Sequence, residues 1–592
     1  MYTVSIKERE RFYLRLLLQH ETGATSFDDI KTVWIGNTIK LCKTFQEAVN
    51  DKGYLLDDTL WQKTLNDAIS YSMPGQVRQL FAYICAFSSP SDPLHLWNTN
   101  KRGMIEDICH KLHGNDDSCI NCEAYAFKDI QLALMLLGYT LDNFNLPNVP
   151  DSLPTLHSTP INLQEEQHIA QTMISSLNTL QSAAFNKIVL ATEDDSPIPK
   201  CYFLDGHGGS GKTYLYETLI HFFTAKQQLI IASTTTGVAA NLLINDRTCH
   251  SLFKLPVPIT ETSVSTMKMN SNNAQEIRLA KLLILDECIM ASSHLLNTID
   301  KLLQTLMNNN IPFGGKVLLL GGDFRQCLAI VPHAMRSAIV QSNIIQIPQA
   351  FICDDLVTEV FGTAIILDQI PLLTQRAILC PKNIDVDRIN NQVIALLPGE
   401  SRLFLSTDNV DSEDENEHLN FPLEYLNTIN PAGLPQHNLN LTIGTIVMLL
   451  RNLNTKQGLC NGTRLVINTM TDNVIEAKVL TRSHSNNTVL IPTVDVPSSD
   501  LELPFTLKRR QFPIKPAFAM TINKSQGQTM DRVGIYLSEP VFGHGQLYVA
   551  FSRVQRSSDI KVKVIDTPYQ GKLIQGQHTI FTTNVVYKEI FQ

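Results

Sequence analysis

The spacing of hydrophobic and polar residues separates a helical first part of the chain from a later part in which strands and helices alternate. Residues 1–143 alternate apolar and polar positions mostly with the period of an α-helix, clearly so at 60–87. Four prolines then lie among Asn, Ser and Thr residues: Pro147, Pro150, Pro154 and Pro160. Such a composition breaks helices and favours extended chain. We expect a helical N-terminal region over 1–143 and a proline-rich linker over 144–165.

From Lys200 onward, short β-rich runs alternate with helical stretches. Apolar runs that end in polar or glycine-rich turns lie at 202–204, 229–231, 282–285 and 317–320, and again at 377–379, 533–536 and 560–565. Strands that alternate with helices predict parallel, doubly wound sheets with right-handed crossovers. Closely spaced strands at about 445–497 interrupt the second set and predict a small β-rich insertion at about 440–512. The expected fold class is α/β, with sheet domains at 166–346 and 347–592.

Length and composition narrow the class of protein. A chain of 592 residues predicts three or four structural units. No stretch approaches the ~18 unbroken apolar residues of a membrane span, and the run Leu16–Leu18 lies among arginines, which is typical of an amphipathic helix. We expect a non-membrane, intracellular protein whose twelve cysteines are reduced. The net charge of −9 argues against a globally basic nucleic-acid-binding coat and is compatible with a local basic groove.

One glycine-rich segment has the spacing of a phosphate-binding loop, G-x-x-x-x-G-K-[ST]. It lies directly after a predicted strand and directly before the helical stretch 214–223. The backbone N–H groups of such a loop surround a β-phosphate, Lys212 neutralises phosphate oxygens, and the Thr213 hydroxyl binds Mg²⁺. The sequence therefore predicts a site for ATP and Mg²⁺ at these residues: Gly206, His207, Gly208, Gly209, Ser210, Gly211, Lys212 and Thr213.

Two further strand ends carry side chains suited to nucleotide hydrolysis. Asp286 and Glu287 follow the apolar run 283–285 directly. A hydrolytic site needs an acidic group that holds the metal, assigned to Asp286, and a base that activates water, assigned to Glu287. Such pairs often only cap a following helix, but the loop upstream favours the catalytic interpretation. Gln326 follows the third strand, where its amide could reach a γ-phosphate.

The blocks 518–529 and 545–554 complete a set of motifs that resembles the superfamily-one DNA helicases of the PIF-one type, most closely the helicase half of Helitron transposon proteins. The resemblance begins at 12–18 and 23–27 and runs to about Val564. It implies a P-loop NTPase with two RecA-like domains, ATP in the cleft between them, and 5′-to-3′ movement on single-stranded DNA. It further implies a monomeric nuclear motor acting on single-stranded and forked DNA, in repair, recombination, telomere maintenance or transposon replication.

The resemblance also implies roles for single residues. Gln181 would contact the adenine, and Arg553 would complete the cleft as an arginine finger. Residues of three motif blocks would contact the DNA strand: Thr236, Gly237, Thr248, His250, Ser251, Phe253, Thr521, Lys524 and Ser525. From the residues alone, Phe253 fits core packing better than base stacking. The basic run 508–510 with Lys515 is either a further contact to the DNA backbone or a solvated charged turn.

Three features leave alternatives open. Relatives carry an Asn-Met-Arg block after the third motif, whereas here Gln346 continues directly into a region that lies beyond that block in relatives. The resemblance therefore implies that the block is missing. A protein that binds ATP and DNA without unwinding is the alternative to a helicase. A P-loop ATPase that remodels protein or RNA is disfavoured. A set of possible zinc ligands competes with an interpretation as unrelated loop residues: Cys109, His110, His113, Cys119 and Cys122. The acidic run 408–417 is expected to be a solvated loop.

Overall fold

The structure, a computed structural model, describes most of the chain. The described residues are 13–14, 17–18, 24–35, 38–45, 48, 58–88, 90, 92–113, 120–149, 162–194, 196, 198–235, 247–257, 259–327, 341–366, 370–410, 421–431, 433–454, 457–480, 487–498, 503, 505–572 and 579–587. Among these residues, no helix combines the length and the apolar character needed to cross a membrane.

The N-terminal region is largely helical, as predicted. Its helices are α1 (Phe27–Lys31), α2 (Asp58–Tyr71), α3 (Pro74–Ser88), α4 (Pro93–His113) and α5 (Ile120–Leu136). One part of the prediction is wrong, because strands β1 (Thr32–Ile35) and β2 (Thr38–Leu41) form an antiparallel hairpin. The β-branched residues of both strands flank Gly36-Asn37, a sequence typical of a tight hairpin turn.

The first predicted sheet forms from five parallel strands. They are β3 (Cys201–Asp205), β4 (Ile230–Thr234), β5 (Arg247–Thr248), β6 (Leu282–Asp286) and β7 (Val317–Gly322), in the order β3-β7-β6-β4-β5. Helices of this lobe are α6 (Leu163–Ser175), α7 (Thr179–Glu193), α8 (Lys212–Ala225), α9 (Cys249–Leu252), α10 (Asn272–Leu279) and α11 (Ser293–Met307). Asn162 caps α6, so the helix starts inside the predicted linker. We call residues 162–327 the first lobe.

The second parallel sheet confirms the α/β fold class. After β8 (Gln341–Ile347), its strands are β9 (Arg376–Cys380), β20 (Ala519–Thr521), β21 (Arg532–Leu537) and β22 (Ile560–Val564), in the order β20-β9-β21-β22. Its helices are α12 (Leu356–Phe361), α13 (Ile370–Leu373), α14 (Asn383–Ile394) and α16 (Gln546–Phe551). The predicted boundary places residues 341–346 in the first domain, but strand β8 pairs with the last strand, β23 (Ile580–Val586). We call residues 341–587 the second lobe.

The β-rich insertion of the second lobe is wider than predicted. It holds β10 (Arg402–Leu405), β11 (Thr407–Val410), α15 (Leu423–Thr428), β12 (Asn438–Leu441), β13 (Ile446–Leu449), β14 (Arg464–Met470), β15 (Val474–Val479), β16 (Thr488–Pro492), β17 (Val494–Pro497), β18 (Leu507–Gln511) and β19 (Ile514–Pro516). All its sheets are antiparallel, with orders β16-β15-β14-β13-β19, β11-β18-β17 and β10-β12. The four-residue strands β10 to β12 are too short for a clear alternation, so the sequence pattern missed them.

One residue of the acidic run and two of the basic run are buried inside this insertion. Asp408 of β11 and Arg509 of β18 are both fully buried at the side chain and form an ion pair of 2.6 Å. Arg510 pairs with Asp495 at 2.6 Å and is 9% exposed at the side chain. Both interpretations of the basic run, DNA contact and solvated turn, are therefore wrong for these two arginines. The rest of the acidic run, 411–417, lies outside the described residues.

The N-terminal helices share an apolar core with the insertion. Tyr83 of α3 is 2% exposed and packs within the cluster of insertion residues that contains Phe404, Leu439 and Phe512. In the other direction, Val474 and Leu490 of the insertion belong to the core of the helices. The insertion and α3 therefore bury one continuous apolar surface.

The proposed zinc ligands do not converge within the described part of the chain. Cys109 and Cys122 are 1% and 0% exposed in the apolar core of the helices. Cys119 lies outside the described residues. Among the residues that the structure describes, no group of His, Cys, Asp and Glu could hold a metal ion.

Candidate nucleotide-binding site

A cavity of about 770 Å³ lies between the two lobes. Its wall from the first lobe consists of His207, Gly208, Gly209, Ser210, Gly211, Lys212, Thr213, Tyr214, Glu217, Asp286, Glu287 and Gln326. Its wall from the second lobe consists of Thr374, Gln375, Gly462, Arg464, Leu480, Gly527, Gln528, Thr529, Met530, Ser552 and Arg553. The four residues predicted to be catalytic, from distant parts of the chain, therefore line one cavity: Lys212, Glu287, Gln326 and Arg553.

The phosphate-binding loop runs from the end of β3 to the start of α8. Gly211 is the N-cap of that helix at φ +82°, in the left-handed region that favours glycine. A Cβ atom at Gly211 would lie 2.5 Å from Nε2 of Gln181, so a larger residue would collide. The Lys212 ammonium donates to the carbonyl of Gly206. The loop therefore combines a cation with the positive end of a 14-residue helix, an arrangement that binds phosphate.

The acidic pair lies at the end of β6, next to that loop. Asp286 accepts a hydrogen bond from the Tyr216 hydroxyl at 3.1 Å, and burial raises its pKa. Glu287 has φ +52°, a left-handed conformation that its neighbours must hold, and Thr235 donates to its carbonyl at 2.7 Å. Burial and the Asp286 charge raise the pKa of Glu287 to about 7, against the opposing charges of Lys212 and Arg553.

The oxygen atoms at this end of the cavity fit a magnesium ion. The Thr213 hydroxyl and the Asp286 carboxylate both line the cavity. Mg²⁺ prefers oxygen ligands and is usually held by one or two protein groups together with substrate phosphates. The buried carboxylate, whose pKa is raised by burial, would gain a compensating charge from a cation. A Mg²⁺ site at Thr213 and Asp286 stays a prediction.

Gln326 and Arg553 line the same cavity as this acidic pair. Gln326 is 4% exposed, and among the residues that the structure describes its side-chain oxygen has no hydrogen-bond partner. Arg553 is 5% exposed, and burial lowers its pKa. Its guanidinium donates to the carbonyls of Val549 at 2.9 Å and Gln528 at 3.0 Å, which fixes it within the second lobe.

Gln181, predicted to contact the adenine, supports the phosphate-binding loop in this structure. Its side-chain oxygen accepts from the Asn178 N–H at 3.0 Å, and its amide nitrogen donates to the carbonyls of Ser210 and Gly211 at 3.3 and 3.4 Å. The Gln181 amide is therefore engaged with protein atoms, and the residue does not line the cavity. Contact with adenine stays a prediction.

The predicted DNA-binding residues fall into three groups. Thr236 and Gly237 lie outside the described residues. Three others are buried and cannot contact DNA in this structure: Thr248, Phe253 and Ser525, which are 6%, 2% and 0% exposed. The remaining four are partly exposed: His250, Ser251, Thr521 and Lys524.

Each buried residue has a local packing role. The Thr248 hydroxyl accepts from the Ser251 N–H at 3.4 Å and caps α9. Phe253 packs in the core of the first lobe, so core packing and not base stacking explains the aromatic ring. The Ser525 hydroxyl donates to the Ile522 carbonyl at 2.7 Å. The prediction of DNA contact is wrong for these three side chains.

Lys524 retains the features of a phosphate contact. Burial and the neighbouring Lys515 lower its pKa to about 7, while Asp387 opposes this effect. Two ammonium groups held together repel each other, and a phosphate between them would relieve that repulsion. Lys515 belongs to the basic run for which the sequence left two interpretations open.

Two residues of the site carried no predicted role. Arg464 of β14 donates to the carbonyls of Thr374 at 2.8 Å, Arg376 at 3.0 Å and Ala517 at 3.1 Å, and burial lowers its pKa to about 10. It belongs to the insertion, where the sequence offered no motif. Tyr548 lies within the block 545–554, and its hydroxyl contacts both the loop and Asp323 across the cleft.

Comparison with known proteins agrees with this geometry. Residues 176–349 match a family model described as PIF1-like helicase, and residues 424–470 match that of the DNA helicase Pif1 2B domain. The ATP-dependent DNA helicase Pif1 of Psychrobacter sp. (strain PRwf-1) is 25% identical over 448 residues, covering 61% of this chain and 65% of that protein. The ATP-dependent DNA helicase PIF1 of Xenopus laevis is 27% identical over 420 residues, covering 66% and 62%.

A solved structure of Bacteroides Pif1 bound to single-stranded DNA is 24% identical, has a TM-score of 0.45, and is matched over 69% of this chain and 93% of that chain. The chain thus spans less than two thirds of the length of the two curated relatives. Two family models match, one over the first lobe with its phosphate-binding loop and acidic pair and one within the insertion. The chain is therefore similar to PIF1-like helicases over these two segments.

Proposed function

We propose that this protein is an ATP-dependent DNA helicase that couples ATP hydrolysis to movement on single-stranded DNA. One observation carries the proposal: a single cavity unites the phosphate loop, Asp286 and Glu287 of the first lobe with Arg553 of the second. Residues from both lobes around one nucleotide link the chemistry to the relative position of the lobes. The family and the names of the relatives support DNA as the track.

The residues of the cavity can divide the hydrolysis between them. Thr213 and Asp286 would hold Mg²⁺, which would supply positive charge beside the phosphates when bound. Glu287 would accept the proton of the attacking water, and a general base works best when its pKa lies near the operating pH, as a pKa of about 7 does. Lys212 and Arg553 would stabilise the charge that develops on the transferred phosphoryl group, and such arginines accelerate other nucleotide hydrolases by roughly 10³–10⁵.

The finer parts of the proposal rest on the resemblance in sequence. They are 5′-to-3′ polarity, a preference for single-stranded and forked DNA, action as a monomer, and a place in the nucleus. Roles in repair, recombination, telomere maintenance or transposon replication follow from the same source. The Lys515 and Lys524 pair supports a contact with the DNA backbone.

The second candidate function is a protein that binds ATP and DNA without unwinding. The missing Asn-Met-Arg block favours it, because that block would supply a further arginine to the γ-phosphate. The cavity wall contains a second buried arginine, Arg464, in addition to Arg553. The Arg464 guanidinium is bound to three backbone carbonyls, so Arg553 is the arginine of the second lobe that favours the active enzyme.

Steady-state ATP hydrolysis, measured with Mg²⁺ and with or without single-stranded DNA, separates these functions. We expect DNA-stimulated hydrolysis that Lys212→Ala abolishes. Lys226→Ala is the matched control, because Lys226 lies at the other end of α8 and is 44% exposed at the side chain. ATP binding without hydrolysis in the wild-type protein would support the second candidate. A binding competition between single-stranded DNA and RNA then tests which nucleic acid the protein prefers.

A further inference from the structure

The hydroxyl of Tyr548 joins two catalytic elements of the first lobe. Tyr548 lies on α16 of the second lobe, and its hydroxyl donates to Oδ2 of Asp323 at 2.9 Å. The N–H of Gly208, in the phosphate-binding loop, donates to the same hydroxyl at 3.3 Å. Asp323 follows β7, three residues before Gln326. One hydroxyl group therefore links the phosphate-binding loop to the end of β7, the strand that precedes Gln326.

The directions of these hydrogen bonds are fixed by the charge of Asp323. The other carboxylate oxygen, Oδ1, accepts from the backbone and the guanidinium of Arg325 at 3.1 and 2.9 Å. Burial raises the pKa of Asp323, but the hydrogen bonds from Arg325 and Tyr548 outweigh this effect and the pKa is lowered. Burial and the Asp323 charge raise the pKa of Tyr548. A neutral tyrosine therefore donates to an ionised aspartate and accepts from Gly208.

The backbone around Tyr548 is held tightly against the first lobe. Gly545 has φ +75°, and a Cβ atom there would lie 2.5 Å from the carbonyl oxygen of Arg325. A ring nitrogen of His544 lies 2.9 Å from the carbonyl oxygen of Phe324. These contacts hold the start of α16 against the first lobe, next to the position where the Tyr548 hydroxyl meets Gly208 and Asp323.

A phosphate and the tyrosine hydroxyl compete for the N–H of Gly208. Backbone N–H groups of such a loop donate to phosphate oxygens, and the hydroxyl that accepts from this N–H also donates to Asp323. We propose that Tyr548 is a positioning residue that couples the γ-phosphate to closure of the two lobes, a role that rests on the proposed function. In this proposal the Gly208 N–H, which the Tyr548 hydroxyl occupies, is the loop donor that the γ-phosphate takes, while the other N–H groups of the loop surround the β-phosphate. The hydroxyl then stays on Asp323, and loss of the γ-phosphate restores both contacts.

Tyr548→Phe tests the proposal because it removes the hydroxyl and keeps the ring. Affinities for fluorescent ATP and ADP analogues are measured beside DNA-stimulated turnover. We expect the preference for ATP over ADP to rise about two- to tenfold, since one competitor for the N–H is lost, and kcat to fall by a similar factor without an increase in KM. An unchanged ATP to ADP ratio, or a rise in KM at constant kcat, would overturn the proposal.

Tyr425→Phe is the matched control, because Tyr425 lies on α15 of the insertion and is 47% exposed. Tyr425→Phe removes the same hydroxyl group and should change neither the ratio of ATP to ADP affinity nor kcat. Equal melting temperatures of the two variants and the wild type exclude loss of the fold as the cause. If the wild-type protein binds ATP without hydrolysis, the proposed function fails, and the ATP to ADP ratio alone still decides the role of Tyr548.

Discussion

Replacing Asp408 by Asn should destabilise the insertion far more than the loss of an exposed ion pair. The Asp408 carboxylate accepts from Nε and Nη2 of Arg509 at 2.8 and 2.6 Å and from the Ser406 hydroxyl at 2.7 Å. Asparagine removes the charge and places an NH₂ group where one oxygen accepted. The guanidinium of Arg509, fully buried, then lacks a counter-charge. Removing one partner of a buried ion pair costs about 3–5 kcal/mol.

Hydrogen exchange measured by mass spectrometry reports the loss of stability separately for each segment. This is necessary because a chain of several domains does not unfold in one step. At 1.36 kcal/mol per factor of ten, we expect amides of β11 and β18 to exchange about 10²–10⁴ times faster. Glu359→Gln serves as the control. It breaks the exposed pair with Arg532, whose side chains are 43% and 34% exposed, and such pairs contribute about 0–1 kcal/mol.

The double variant Asp408→Leu with Arg509→Met separates charge from packing. Apolar residues of similar volume often replace a buried ion pair without loss of stability. We therefore expect most of the protection lost in Asp408→Asn to return. Exchange in Asp408→Asn within about fivefold of the wild type would refute the reasoning, because it would mean that the buried guanidinium needs no counter-charge.

Three further predictions concern DNA binding, the N-terminal helices and turnover. DNA phosphate favours the protonated form of Lys524, whose pKa is lowered to about 7, so the affinity for single-stranded DNA should fall as pH rises from about 7 to 8.5. Lys524→Arg should remove this pH dependence when binding is measured by fluorescence anisotropy. An equal pH dependence in the variant and the wild type would contradict the prediction. Tyr83→Ala should lower the free energy of unfolding by about 3–5 kcal/mol and speed amide hydrogen exchange in both α3 and the insertion. Met73→Ala, at a position that is 74% exposed, should change neither quantity. Gln326→Leu should lower ATP turnover at least about tenfold without lowering the melting temperature, because it removes a buried oxygen that has no partner among the described residues.

The half of the site that lies on the first lobe could be predicted from the sequence, because each of its parts is local. The loop 206–213 and the pair Asp286 and Glu287 each follow directly on a strand, and parallel strands bring their carboxyl ends to one edge of a sheet. The register of β6 against β7 then brings the acidic pair near Gln326. A strand-and-turn pattern is therefore enough to place these residues together.

The contacts between distant segments could not be predicted in this way. Strand β8 pairs with β23, more than 200 residues later, and nothing in either segment identifies the other. The charges of Asp408 and Arg509 indicate solvated turns until the two strands pair and bury them. Phe253 and Ser525 fit the family's DNA-binding blocks by position, but the local packing of the turns around α9 and after β20 buries both side chains.

The buried contacts around Arg464 connect the nucleotide cavity to parts of the chain that carry no catalytic residue. Arg464 lines the cavity and binds three carbonyls at the starts of β9 and β20, so the insertion cannot shift against the second sheet without leaving a buried guanidinium unpaired. The insertion in turn encloses Tyr83 of α3 within its core. If the cleft opens or closes on nucleotide binding, the second sheet, the insertion and the N-terminal helices should therefore move together. Separating them would expose apolar surface and leave the buried Arg464 guanidinium without hydrogen-bond partners.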